Sequence, residues 1–147
     1  MAASIKKIGG GGGAKAGAAV VIDAKTGEIL ALVNQPTYNP NKRTKNMNSG
    51  LTRNRAVTDV FEPGSTMKPF SVGFALETGR FKPTTLIDTE GGHYSIGPAT
   101  IHDAHPEGTL TVAQVIQKSS NVGAAKIALT LAPQYMYNKF AQLGFGK

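Results

Sequence analysis

The segment Ser65-Thr66-Met67-Lys68 carries two residue types that together could perform nucleophilic catalysis. It opens a stretch with apolar residues at helical spacing, and helix positions three apart lie on one face. A serine hydroxyl becomes an effective nucleophile when a neighbouring base takes its proton, and a lysine amine can act as that base when it is neutral. Burial favours the neutral form of lysine. The spacing therefore predicts Ser65 as a nucleophile and Lys68 as its base.

The competing interpretation of this motif is structural. Serine is a favoured N-cap residue, lysine is common on solvated helix faces, and Ser-x-x-Lys occurs by chance in many proteins. Two features favour catalysis. The partial positive charge of a helix N-terminus would stabilise a developing oxyanion, and Gly64 would let a substrate approach Ser65.

Ser119-Ser120-Asn121 supplies further context, because it interrupts two apolar helical patterns later in the chain. There Ser119 could relay a proton beside Ser65 and Lys68, and the Asn121 amide could bind carbonyl groups of a substrate. Taken alone, this motif is better explained as a polar helix cap. Both motifs in this order, each with apolar helical residues behind it, favour a catalytic site.

These residues resemble the signature of penicillin-binding proteins and class A β-lactamases, in which Ser-x-x-Lys accompanies a Ser-x-Asn element and Lys-Thr-Gly. Ser120 stands where the lactamases carry aspartate, and this form is typical of penicillin-binding proteins. From about residue 15 to 147 the chain is similar to the division-specific class B penicillin-binding proteins of Gram-negative bacteria. The stretches that carry this similarity are 17–34, 53–70 and 117–123.

The resemblance implies an α+β fold of the penicillin-binding and serine β-lactamase-like transpeptidase type. It also implies a D,D-transpeptidase that cross-links peptidoglycan stem peptides at the septum. The resemblance assigns the family's roles to the residues that match its motifs. Ser65 attacks the D-Ala-D-Ala carbonyl, Lys68 is its base, and Ser119 and Asn121 assist proton transfer and substrate binding. β-Lactam antibiotics mimic the dipeptide and would acylate Ser65. The family implies divisome partners and a location at the periplasmic face of the inner membrane, with no cofactor and no metal.

A third motif is missing from its expected place. Lys25-Thr26-Gly27 matches the pattern but precedes Ser65, whereas in this family the third motif follows Ser-x-Asn. It lies between the apolar runs 18–23 and 28–33, which predicts the turn of a β-hairpin with Gly27 at positive φ. We expect the third motif beyond Lys147. The chain would then be a truncated fold without the C-terminal strands of its sheet, with an unpaired hairpin edge and little activity by itself.

Composition bounds the class of protein. The 147 residues include 16 Lys and Arg against 9 Asp and Glu, three histidines and no cysteine, and 40% are apolar. That apolar fraction excludes a wholly disordered chain, and the absence of cysteine excludes disulfides, thiolate metal sites and cysteine nucleophiles. The histidines have no zinc-ligand spacing. No apolar run approaches the ~20 residues that span a membrane, so no membrane segment is expected in this chain.

Residues 1–15 are interpreted as a tail, because the unbroken glycine run Gly9 to Gly13 has no side chain to pack and resembles an engineered linker. Residues 16–147 then form the N-terminal part of the catalytic domain. Within it we expect a long loop over 34–50, an ambiguous segment over 51–61, a buried helix from Ser65 to Gly79 that opens on a capping hydroxyl, and loops with one small hairpin over 80–108. Further helices are expected from Thr109 to Lys118, from Val122 to Leu131 and from Pro133 to about Leu143.

Two alternatives stay open. A serine β-lactamase or D,D-carboxypeptidase of the same fold would use the same nucleophile and differ in a deacylating base outside this sequence. A non-catalytic basic module would bind nucleic acid or another anionic polymer. Its basic residues lie on a polar loop without stacking aromatics, which favours a solvated loop and no nucleic-acid partner. Those residues are Lys42, Arg43, Lys45, Arg53 and Arg55.

Overall fold

The computed structural model describes residues 14–41 and 49–146. These residues belong to two compact units, the first ending at Phe61 and the second beginning at Glu62. The predicted glycine linker lies outside the described residues. So do three of the basic side chains considered above, Lys42, Arg43 and Lys45.

The first unit is built on an antiparallel hairpin in which β1 (Gly17–Ile22) pairs with β2 (Ile29–Gln35). Its turn is held by the Asp23 carboxylate, which accepts hydrogen bonds of 2.8 Å from the backbone N–H groups of Lys25 and Thr26. Gly27 has a φ of +76°, a conformation that glycine adopts without a Cβ penalty. The predicted hairpin is confirmed, and its Lys-Thr-Gly sequence forms the turn.

Two short helices, α1 (Ser49–Thr52) and α2 (Arg55–Thr58), occupy the segment that the sequence left ambiguous, and α1 also shortens the predicted loop. The Asn34 side chain joins β2 to this segment. Its Nδ2 donates to Asn54 Oδ1 at 2.9 Å, and its Oδ1 accepts from the backbone N–H of Ala56 at 3.0 Å. The basic side chains Arg53 and Arg55 both form ion pairs with Asp59.

The second unit carries a helical core. A 3₁₀ turn (Gly64–Met67) leads directly into α3 (Lys68–Glu77), and this helix packs against α5 (Asn121–Ala128) and α6 (Pro133–Gln142). The Phe74 and Phe140 rings meet edge to face at 5.0 Å, which joins α3 to α6. The buried core cluster comprises Val72, Phe74, Ala75, Leu110, Val112, Val115, Ala124, Ile127 and Leu131.

Two small antiparallel ladders accompany these helices. β3 (Leu86–Asp88) pairs with β6 (Thr109–Thr111), and β4 (His93–Ile96) pairs with β5 (Ala99–His102). The β4–β5 ladder is the one small hairpin that the sequence predicts. The β3–β6 ladder was not predicted, because its three-residue strands are too short to show a period.

The helix expected from Thr109 therefore begins later, as α4 (Val112–Gln117). Its start is set by a capping box: Thr111 Oγ1 accepts from the Gln114 N–H at 3.1 Å, and Gln114 Oε1 accepts from the Thr111 N–H at 2.9 Å. The hydroxyl cap was predicted correctly, but the prediction placed it at the wrong threonine. None of the helices within the described ranges is long and apolar enough to cross a membrane.

The contact between α4 and α5 requires a glycine. A Cβ added at Gly123 would lie 2.6 Å from Val115 Cγ2 and 3.1 Å from Ser120 Oγ. Gly123→Ala is expected to lower the free energy of unfolding by about 1–3 kcal/mol through overpacking, measured by urea denaturation.

The matched control is Gly73→Ala in α3. A Cβ at Gly73 would meet no atom within 4 Å, so this alanine is expected to be neutral or to stabilise by up to about 1 kcal/mol. Equal effects of the two substitutions would contradict a role for close packing at Gly123.

Candidate active site

Lys68 is the first residue of α3, and its ammonium group lies at the centre of the site. Nζ donates to the Ser119 carbonyl oxygen at 2.6 Å, to Ser119 Oγ at 3.0 Å and to Asn121 Oδ1 at 2.6 Å. The three N–H bonds of an ammonium group match these three acceptors. The structure thus brings three of the four predicted site residues, Lys68, Ser119 and Asn121, into direct contact.

Helix packing brings these residues together across fifty positions of sequence. The helix α3 buries Val72 and Ala75, α5 buries Val122 and Ile127, and the two helices pack on each other. Lys68 and Asn121 are the first residues of these helices. The burial of the two apolar faces therefore sets the distance between the two polar helix starts.

Ser65 lies in the 3₁₀ turn before Lys68, where it is exposed. Its carbonyl accepts from the Lys68 N–H, and residues three apart eclipse in a 3₁₀ helix, so both residues keep to one side of the chain. Gly64 has a φ of +58°, and a Cβ there would meet no atom within 4 Å. The left-handed backbone conformation therefore favours glycine here, whereas steric contact does not.

The prediction that a hydroxyl caps this helix is wrong. The N-cap residue of α3 is Met67, without a side-chain hydrogen bond, because the 3₁₀ turn continues straight into the helix. Among the described residues, the Ser65 hydroxyl has no hydrogen-bond partner, and it is not bonded to Lys68 Nζ. Helix capping therefore does not account for Ser65.

Ser119 adopts an unusual backbone conformation with a φ of +55°. For a residue other than glycine, this left-handed region costs about 1–2 kcal/mol. It lets Ser119 place both its carbonyl oxygen and its hydroxyl on Lys68. The capping interpretation of the motif holds for Ser120 alone, whose buried Oγ accepts from the Gly123 N–H at 2.8 Å.

The Asn121 amide is held in one orientation by contacts at both ends. Its Nδ2 donates to the His102 carbonyl oxygen at 2.7 Å, while its Oδ1 accepts from Lys68. A reversed amide would turn its NH₂ group toward the ammonium and its oxygen toward a carbonyl. The His102 carbonyl at the end of β5 therefore orients the Asn121 amide so that its oxygen faces Lys68.

Asp103, which follows β5 directly, was not predicted as a site residue. Its Oδ2 accepts from Ser120 Oγ at 2.7 Å, and its Oδ1 accepts from the Val122 N–H at 2.9 Å and from the Asn121 N–H. An aspartate in a segment rich in glycine and proline is typical of turns, so the sequence carried no signal for this role. The contact depends on where the β4–β5 hairpin lies against α5.

The surroundings of Lys68 favour its neutral form more than water does. Partial burial lowers the pKa of Lys68 below its usual value of 10.5, because burial disfavours the ammonium form. The Asp103 carboxylate opposes this effect by raising the same pKa. As pH rises, Lys68 thus loses its proton before a solvated lysine does, and the neutral amine offers a lone pair to an acidic proton.

Nothing in the described ranges suggests a metal centre at this site. No group of three or more histidine, aspartate or glutamate side chains there could hold a metal ion. Two histidines do meet across the small hairpin, where His93 Nδ1 and His102 Nδ1 are 2.8 Å apart. The Asp103 carboxylate accepts three hydrogen bonds from residues 120–122.

Comparison with known proteins gives consistent matches. The family model described as penicillin binding protein transpeptidase domain matches residues 17–147. The chain is 53% identical over 133 residues to the probable peptidoglycan D,D-transpeptidase PenA of Neisseria flavescens, covering 90% of this chain and 32% of that protein. It is 41% identical over 134 residues to the peptidoglycan D,D-transpeptidase FtsI of Escherichia coli K12, covering 91% of this chain and 22% of that protein.

A solved structure agrees with these matches. The TP domain of penicillin-binding protein 3 from Burkholderia pseudomallei superposes with a TM-score of 0.82 at 48% identity. The match covers 99% of this chain and 38% of that one. The chain therefore spans a third or less of the curated relatives named above and under half of this solved chain.

Two lysines of the second unit are expected to have pKa values on opposite sides of 10.5, the usual pKa of lysine. Burial lowers the pKa of Lys68, whereas the hydrogen bond of 2.6 Å to Glu77 raises the pKa of Lys139. Heteronuclear NMR of ¹³Cε-labelled lysine, with resonances assigned by Lys→Arg variants, measures both midpoints. A Lys68 midpoint at or above that of Lys139 would contradict the desolvation of Lys68.

Proposed function

The chain belongs to the penicillin-binding protein transpeptidase family, and we propose that Ser65 is the nucleophile of a peptidoglycan D,D-transpeptidase. The observation that carries this proposal is the hydrogen bonding of Lys68 to Ser119 and Asn121. Three residues before Lys68 lies Ser65, which is exposed and whose hydroxyl has no hydrogen-bond partner among the residues that the structure describes. The curated relatives are named peptidoglycan D,D-transpeptidases. Because the chain spans only part of them, the proposal concerns the protein that contains this chain.

In the proposed acylation, the neutral Lys68 amine takes the Ser65 hydroxyl proton while Oγ forms a bond to the penultimate D-Ala carbonyl carbon of a stem peptide. The start of α3 places partial positive charge near the developing oxyanion. The tetrahedral intermediate then breaks its C–N bond. The terminal D-Ala leaves as an amine, with a proton supplied from the Lys68 ammonium through the Ser119 hydroxyl, 3.0 Å away.

In the proposed second step, the amine of a neighbouring stem peptide attacks the Ser65 ester carbonyl. It loses a proton to Lys68, a new amide bond forms, and Ser65 leaves with that proton. The Asn121 side chain contributes an amide at the edge of the same cluster, where it can bind the peptide backbone of the donor. The product is a cross-link between two stem peptides.

β-Lactams fit the same chemistry. Attack of Ser65 on the lactam carbonyl opens the ring, and the former amide nitrogen stays tethered to the acyl group. No leaving group diffuses away, so the ester persists.

We also propose that the whole protein lies at the periplasmic face of the inner membrane and has divisome partners. The proposed substrate belongs to the cell wall, and the sequence resembles division-specific enzymes.

The assignment of Ser65 as the nucleophile is tested by mass spectrometry after incubation with a labelled penicillin. Two proteins are compared: the 147-residue chain, and a longer chain that includes a Lys-Thr-Gly motif after the Ser-x-Asn motif. We expect a stoichiometric adduct on Ser65 in the longer chain and weak or no labelling of the shorter one. Ser65→Ala is expected to abolish the adduct, and Lys68→Ala to slow its formation by about 10²–10⁴-fold through loss of the base.

Ser95→Ala is the matched control, since the Ser95 hydroxyl contacts Thr100 Oγ1 at 3.2 Å on the β4–β5 hairpin. The assignment would be overturned by an adduct in the Ser65→Ala variant, or by the absence of an adduct in the longer wild-type chain. Rapid hydrolysis of the adduct would favour a β-lactamase. Release of D-Ala from a stem peptide without an acceptor amine would favour a D,D-carboxypeptidase.

A further inference from the structure

We propose that Asp103 is a positioning residue of this site, whose carboxylate holds the Ser119-Ser120-Asn121 turn in the conformation that presents Ser119 and Asn121 to Lys68. The inference rests on the proposed function, since it assigns a residue to the same site. Asp103 belongs to neither sequence motif. Its role follows from its contacts with the turn and from its place directly after β5.

Both carboxylate oxygens of Asp103 are committed to the turn. Oδ1 accepts from the backbone N–H groups of Asn121 and Val122, and Oδ2 accepts from Ser120 Oγ at 2.7 Å. The first N–H groups of a helix have no partner within the helix, and a carboxylate satisfies them with charge-assisted bonds. Ser120 is buried, so the loss of its partner would leave a buried hydroxyl to find another acceptor.

Asp103 is itself held firmly. Its backbone N–H donates to the Gly92 carbonyl at 2.9 Å. Gly92 is buried with a φ of +85°, and a Cβ there would lie 3.1 Å from Pro106 Cα and 3.3 Å from Asp103 Cβ. A side chain at this position would therefore crowd both Pro106 and Asp103, and its backbone conformation would also be strained. The neighbouring His102 carbonyl binds Asn121 Nδ2 at 2.7 Å, so two consecutive residues of this strand end hold the turn.

The same carboxylate acts on Lys68 through its charge. Asp103 raises the pKa of Lys68 against the effect of burial. Two other titratable groups, Lys118 and His105, lie near the turn without a contact to Lys68. Lys118 pairs with Glu107 at 2.5 Å, and His105 lines a pocket that Asp103 also lines. His102 faces His93 across the hairpin. One carboxylate therefore contributes both to the position of the turn and, beside the larger effect of burial, to the pKa of Lys68.

The test compares wild type, Asp103→Asn and Asp103→Ala, with Glu107→Gln as the matched control that removes a nearby carboxylate paired only with Lys118 among the described residues. Asparagine keeps an acceptor for the two backbone amides and removes the charge. We expect the ¹³Cε NMR midpoint of Lys68 to fall in Asp103→Asn and to stay unchanged in Glu107→Gln. Amide hydrogen exchange at Asn121 and Val122 is expected to accelerate at least tenfold in Asp103→Ala.

These measurements require no acylation, so they remain valid if wild type fails to react with penicillin. In the longer chain, acylation by a labelled penicillin is expected to slow at least tenfold in Asp103→Ala. The alkaline rise of its rate is expected to move to lower pH in Asp103→Asn. Circular dichroism establishes that each variant is folded, and Asp103→Asn carries the test if the alanine variant is not.

Two results would overturn the proposal. One is an unchanged Lys68 midpoint in Asp103→Asn together with unchanged amide exchange in Asp103→Ala. The other is that Asp103→Ala lowers thermal stability while each folded molecule keeps the acylation rate and the pH profile of the wild type. Asp103 would then be a structural residue only.

Discussion

The hydrogen bonds from Lys68 Nζ to Ser119 and Asn121 are the constraint on which the site depends. They join the starts of α3 and α5, whose apolar faces pack on each other directly behind them. A partly buried ammonium without partners would be costly, and these three acceptors offset its desolvation. Packing alone would bring the two helices together. The polar contacts then fix the orientation of the side chains that meet at the helix starts.

Several features around this contact are not accounted for by local stability. Ser119 keeps a left-handed backbone conformation that glycine would adopt more readily, and by doing so it offers two oxygen acceptors. Lys68 is desolvated, which lowers its pKa, and the nearby Asp103 carboxylate limits the effect. Ser65 is exposed and does not cap its helix. The helical core supplies the stability that tolerates these local costs.

Much of the local structure followed from pattern. The hairpin with Gly27 in its turn, the helices beginning near Ser65 and at Pro133, and the interruption at Ser119 were predicted correctly, because each rests on short-range turn chemistry or helical period. The two errors have different causes: the expected cap at Ser65 was wrong because a 3₁₀ turn runs directly into α3. The start of α4 was shifted because Thr109–Thr111 pairs with a strand more than twenty residues earlier, and nothing local reveals a partner at that distance.

At the site, the sequence by itself identified the four residues that the proposal uses, because Ser-x-x-Lys and Ser-x-Asn are local motifs whose residue types state their chemistry. It also determined the family to which the chain belongs. Only the tertiary structure decided that Lys68 contacts Ser119 and Asn121, and that Asp103 and the His102 carbonyl orient the turn. These contacts join the end of a hairpin to the starts of two helices. They arise from the packing of apolar faces, which no spacing within a motif encodes.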